Sequence, residues 1–152
     1  MLPFKKILAP TDFSDRSRPA IDAAIELARH FDSELLLVHV LTPVATTGPA
    51  VAGHSPIDFE AYRETLVNDA RQTLGQMVER HVPGEVACRF EVRWGSPAET
   101  IVEMAERERS DVIVICTRGA TGLSRFVAGS VTEKVVRLSD VPVLTVQSVD
   151  DS

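Results

Sequence analysis

The strongest constraint on this chain is a recurrence. Short, almost wholly apolar runs are each followed by a longer stretch with helical periodicity. "ELLLVHV" (Glu34 to Val40) and "DVIVICT" (Asp111 to Thr117) are the clearest of these runs. Neither alternates, so neither keeps a wet face. A strand buried on both faces belongs in a parallel sheet covered by helices. "KKILAP" supplies a first strand, Lys5 to Ala9, stopped by Pro10, and "PVLTVQSV" a last one, from Pro142 to Val149. "VACRFEVRW" (Val86 to Trp94) is different in kind. Cys88, Phe90, Val92 and Trp94 alternate there with Arg89, Glu91 and Arg93, which marks a strand with one wet face or a wet edge.

Between the runs lie helical faces. Ile21, Ala24, Ile25, Ala28 and Phe31 share one, behind Ser14 as N-cap and with Pro19 in or near the first turn. Phe59, Tyr62, Leu66, Ala70, Leu74 and Met77 mark a second. A third opens on Ser96, Pro97 and Glu99, a capping box, and runs through Ile101, Val102 and Ala105. The fourth passes through Val131, Val135, Val136 and Leu138. The order is β-α-β-α-β-α-β-α-β with no repeat or linker, so residues 1–152 are expected to form one α/β domain, its parallel sheet covered on both faces. The segment Leu41 to Ile57 has no period and is rich in Pro, Gly, Ala and Thr; it reads as a lid or as disorder.

Charge and cysteine usage narrow the function. A net charge of −6 with no basic cluster argues against nucleic acid, whose phosphates demand a Lys/Arg footprint. No apolar run approaches the roughly 18 to 20 residues of a membrane span, and the N-terminus lacks a secretory signal. Cys88 and Cys116 have neither CxxC nor metal spacing, which suits reduced core thiols in a cytoplasmic protein.

In open parallel sheets, ligands bind beyond the carboxyl ends of the strands, where the strand order reverses. With the first strand central, the loops "APTDFSD" and "CTRGATGLSRFVAGSVTE" flank that crevice. The first carries Asp12, a group that suits Mg²⁺, a ribose hydroxyl or simply a turn. The second carries glycines, and Gly129, Ser130 and Val131 begin a helix whose N–H groups favour an anion. Two readings stand: a phosphate ester lies across the loops, or the glycines serve turns and Ser130 caps the helix. There is no P-loop, GxGxxG, HExxH or GxSxG. The histidines are scattered, and His39 reads as a core or strand-end residue.

Nearly the whole chain resembles the universal stress protein family, through "KILAPTDFS", "LLLVHV", "GSPAETIVEMAE", "DVIVICTRG" and "GSVTEKVVRLSDVPVLTV". Nucleotide-binding members carry G-x2-G-x9-G-[ST] after the fourth strand. Gly119, nine residues and Gly129-Ser130 fit its second part, while Cys116 stands where the first glycine belongs. The resemblance implies a sheet of order 3-2-1-4-5, a cytoplasmic homodimer and, in many members, ATP in the crevice, here with Mg²⁺ near Asp12. It places Pro10, Thr11, Asp12 and Val40 on the adenine side, and Cys116, Gly119, Gly129, Ser130 and Val131 at the ribose and phosphates. Arg118 and Arg125 share that loop, where they reach phosphates or stay solvated. The uncharged last strand, Pro142 to Val149, is the expected dimer edge. Three functions compete: an ATP-binding stress-response regulator with at most slow hydrolysis, an interaction module of the same fold with an unused crevice, and an adenylate-transfer enzyme. The last lacks the glycine-bearing loop it would want after the first strand.

Overall fold

The computed structural model describes residues 1–43, 59–117 and 129–148. Among the described residues, β1 (Lys6–Pro10), β2 (Glu34–Leu41), β3 (Cys88–Trp94), β4 (Val112–Cys116) and β5 (Val143–Val146) form one sheet. Every pairing is parallel, and the order is β3-β2-β1-β4-β5. The helices are α1 (Arg18–Phe31), α2 (Phe59–His81), α3 (Pro97–Arg107) and α4 (Ser130–Leu138). This is the α/β architecture and strand order that the resemblance implies.

The apolar runs fail to alternate because each strand feeds two cores. On β2, Leu35 and Leu37 join Ile7, Ala9, Val112 and Val114 under α1 and α2. Leu36 and Val38 point the other way, to Leu8, Ile113 and Ile115 under α3 and α4. Each fully buried Leu or Ile contributes about 1.5–3 kcal/mol, so a polar residue anywhere in the central strands carries a large cost. Cys88 and Cys116 lie on β3 and β4, with β2 and β1 between them. Three inter-strand steps of about 4.8 Å hold them too far apart for a disulfide.

The boundaries depart from expectation in several places: among the described residues the last strand is Val143–Val146 rather than Pro142 to Val149, and β3 starts at Cys88 rather than Val86. β1 runs one residue further, taking in Pro10 opposite Val38. Ser14 does not cap α1: a 3-10 turn, Asp15–Ser17, intervenes, and the Ser14 carbonyl accepts the Ser17 amide at 3.1 Å. Tyr62 continues the apolar face of α2 yet is 53 % exposed. The reason is length: the 23 residues of α2 reach about 35 Å, whereas the eight of β2 span only about 26 Å, so α2 overhangs the sheet.

At the start of α3, Ser96 Oγ donates to the Glu99 carboxylate rather than capping an amide. That bond holds the Glu99 carboxyl below its ordinary range. The proposed lid falls mostly on residues 44–58, outside those described.

Candidate functional site

Between β1 and β4 the connections leave in opposite directions, and a cavity of about 240 Å³ opens there at the carboxyl ends of the strands. Pro10, Thr11 and Asp12 line it from β1, Val40 from β2, Cys116 from β4, and Gly129, Ser130 and Val131 from the start of α4. Arg118, Gly119 and Arg125 lie outside the described residues. The structure therefore brings eight of the eleven expected positions around one space. It adds residues the sequence reading did not select: Ser17, Val38, His39, Thr42, Pro97, Ile101, Ile115 and Thr132. Val38, Val40, Ile101 and Ile115 make one wall apolar.

The β1 side is a hydrogen-bonded corner. The Thr11 amide donates to the Val38 carbonyl at 2.8 Å. The Ser17 hydroxyl donates to the Ser14 carbonyl at 2.8 Å, so it accepts from the Thr11 hydroxyl 3.0 Å away. The Thr11 hydroxyl in turn accepts the Phe13 amide at 3.0 Å. Its proton is therefore spent inside the corner, and Thr11 serves a ligand as framework, not as a hydroxyl donor. Asp12 is exposed, and one of its oxygens accepts both the amide and the hydroxyl of Ser14. It is the single carboxylate on the described lining, which suits a magnesium ion that keeps most of its ligands from water and phosphate.

Opposite stands the N-terminus of α4. Gly129 donates to the Thr117 carbonyl, and its own carbonyl accepts the Glu133 amide at 3.0 Å. The amides of Ser130, Val131 and Thr132 then have no acceptor within the helix, and Gly129, the N-cap residue, offers no side chain to cap them. Thr132 Oγ1 donates to the Cys116 carbonyl and ties α4 to the end of β4. Gly129 has φ −51° and ψ 149°, extended backbone that any residue adopts. That conformation does not itself require glycine. Ser130 is the first helical residue rather than the cap.

Cys116 ends β4 in extended backbone, and the positive-φ residues other than glycine among the described ones are Phe13, Asp32 and Arg109. The position therefore asks for a small residue, not for glycine's conformational range. The side chain is buried in the layer with Ala20 and Ala24. Burial pushes its thiol up from 9.0, and pushes that of Cys88 up to about 11, so neither is an activated nucleophile. Among the described residues no group of three His, Cys, Asp or Glu side chains gathers into a metal site, and no helix is long and apolar enough to cross a membrane.

An open, helix-covered parallel sheet with a crevice at its reversal point defines a broad class of α/β proteins. The profile of the universal stress protein family matches residues 3–147, and the chain belongs to that family. It is 35 % identical over 144 residues to universal stress protein MJ0531 of Methanocaldococcus jannaschii, covering 95 % of this chain and 82 % of that one. It is 32 % identical over 147 residues to universal stress protein YxiE of Bacillus subtilis, covering 95 % and 99 % of the two chains. The solved structure of UspA from Lactobacillus plantarum matches with a TM-score of 0.71 at 25 % identity, over 93 % of this chain and 97 % of that one. A universal stress protein solved in complex with cAMP shares the fold, with a TM-score of 0.62 at 21 % identity over 95 % and 97 % of the chains.

Proposed function

We propose that this protein is a nucleotide-binding regulator of the stress response, a single-domain homodimer that holds ATP or a related adenine nucleotide in the β1–β4 crevice. The observation that carries the reading is the pairing of an apolar wall with the N-terminal amides of α4 across one cavity. Val38, Val40, Ile101 and Ile115 suit the face of a base, and the amides of Ser130, Val131 and Thr132 suit a phosphate. Asp12, on the lining of the same cavity, would meet a ribose hydroxyl or a phosphate-bound Mg²⁺. Arg118, Gly119 and Arg125 follow β4 in sequence and are proposed to complete the phosphate side. A relative of the same fold solved with cAMP supports a nucleotide as the ligand class. Hydrolysis is at most slow, because Asp12 and His39 are the titratable side chains of the described lining apart from the buried Cys116 thiol, and Asp12 is held by Ser14.

Calorimetric titration with ATP and Mg²⁺ tests this. Gly129→Val keeps an accessible φ but fills the space in front of the amides, so it should abolish binding with the fold intact. Cys116→Gly should bind ATP more tightly than the wild type, by removing a Cβ beside the ligand. Absence of ATP binding to the wild type at millimolar nucleotide would leave the interaction-module function instead.

A further inference from the structure

We propose that His39 is a positioning residue for this crevice, because its ring holds both ends of the Thr11–Phe13 corner on which Asp12 stands. The inference rests on the nucleotide reading and deepens it. Val38 and Val40 pack with the α3 and α4 layer, and His39 between them points to the opposite side of β2, toward Phe13. His39 Nδ1 lies 2.8 Å from the Thr11 carbonyl oxygen. A carbonyl only accepts, so Nδ1 carries the proton, and the ring when neutral is the Nδ1–H tautomer. The same ring stacks on Phe13, with centroids 4.0 Å apart and planes inclined by 24°.

The corner needs this hold. Phe13 has φ 66°, a left-handed conformation that is unfavourable for a residue with a Cβ and persists only where its surroundings enforce it. The Phe13 amide is tied to the Thr11 hydroxyl, and the Phe13 ring to His39. The Thr11 amide and hydroxyl are already engaged with Val38, Phe13 and Ser17, which leaves the Thr11 carbonyl for His39. One imidazole thus fixes the residue before Asp12 through a hydrogen bond and the residue after it through a stack. Asp12 is thereby presented to the cavity in one orientation.

Two substitutions separate the two holds. His39→Phe keeps a ring against Phe13 and removes the donor. His39→Asn keeps an amide N–H near the place of Nδ1 and removes the stack. With ATP and Mg²⁺ as the probe, His39→Phe should weaken binding by about tenfold, because the Asp12 corner must then be ordered at the expense of binding energy. His39→Asn should stay within about threefold of the wild type. In the ligand-free protein, hydrogen exchange at the Phe13 and Ser14 amides should quicken in His39→Phe relative to exchange in the β1 core. Nitrogen-15 spectra of the wild type should show His39 as the Nδ1–H tautomer when neutral. Equal ATP affinity in His39→Phe and wild type, or an Nε2–H tautomer, would each overturn the proposal. Failure of the wild type to bind ATP removes the nucleotide reading. Exchange at Phe13 and Ser14 then decides the clamp alone: quickened exchange supports it, and unchanged exchange overturns it.

Discussion

The two edges of the sheet are finished with opposite chemistry. Along β3, charged side chains form a continuous ladder. Arg89 pairs with Glu34 at the start of β2 and, at 3.0 Å, with Glu108 beyond α3. Glu91 takes Arg93 at 2.6 Å and Arg107 at 3.4 Å, and Arg107 closes the circuit on Glu108 at 3.0 Å. Each pair is partly exposed and individually worth little, but together they fill one flank of the edge while α2 covers the other. β5, Val143–Val146, carries no charged side chain. Leu144 is 41 % exposed and Thr145 lies beside it exposed as well. Val136 and Leu138 of the neighbouring α4 add apolar surface. Edges are ordinarily charged, covered or paired. β3 is charged and β5 is not, which supports the pairing of β5 with a second copy of the chain.

The ladder between β4 and β5 shows how to break that pairing selectively. The Pro142 and Val146 carbonyls accept the Ile113 and Thr117 amides at 2.8 and 2.9 Å. In a parallel ladder alternate residues bond to one neighbour, so Thr145 directs its own N–H and C=O away from β4. Thr145→Pro removes an outward donor and leaves the inward ladder whole. It should convert the proposed dimer wholly to monomer in light scattering, with an unchanged far-ultraviolet spectrum. A monomeric wild type, or a dimeric Thr145→Pro variant, would mean that the bare edge is not the interface. Val149, the last residue of the expected interface, lies outside the described residues.

The contrast between the edges was legible in "VACRFEVRW" and "PVLTVQSV", because strand alternation and the absence of charge are local properties. The parallel, doubly covered sheet was legible for the same reason: Leu35 to Val38 is apolar at every position, and only two cores explain that. Strand order was not readable from periodicity, since nothing in a strand's own pattern names its neighbour; it came through resemblance to a family. In the sequence His39 reads as a core or strand-end residue. Its hydrogen bond joins positions 28 apart, and no spacing in the chain announces such a contact. Ser17 was passed over for a related reason. Its hydroxyl matters through the Thr11 relay, which exists only once a 3-10 turn folds residues 11–17 back on themselves. Tyr62 failed the other way, because helical periodicity continues past the point where the sheet stops.

Stripping the charge from β3 should make the two edges alike. Replacing Arg89, Glu91 and Arg93 together by Thr keeps residues that favour strands and removes the ladder. Sedimentation velocity should then show concentration-dependent species beyond the dimer, through the newly bare edge. Placed in the Thr145→Pro background, the same triple replacement should still associate, which would assign the new contact to β3. The stability cost in urea should stay small, about 0.2–1 kcal/mol for each ion pair lost. If the triple variant remains strictly dimeric, α2 alone protects that edge, and the charges are incidental to its solubility.

The smallest expected effect is a pH dependence confined to the charged edge. Hydrogen bonds from Arg89, then from Arg107, hold the Glu108 carboxyl below its ordinary value, and Glu34 and Glu108 raise Arg89 in return. A carboxylate whose folded value lies below its unfolded value stabilises the fold above the unfolded one, near about 4.3, and loses that contribution as pH falls through the folded one. Denaturant unfolding of the wild type should therefore show an acid limb below about pH 4.3 that Glu108→Gln flattens. The arginines are nearly half exposed, so water screens the interaction, and the difference should be about 0.5 kcal/mol or less. Raising salt to 1 M, where the screening length is about 3 Å, should shrink it further. Thr145→Pro, on the uncharged edge, should leave this limb unchanged once both proteins are compared as monomers. An acid limb that persists undiminished in Glu108→Gln would place its origin in other carboxylates, and the ladder on β3 would then be electrostatically inert.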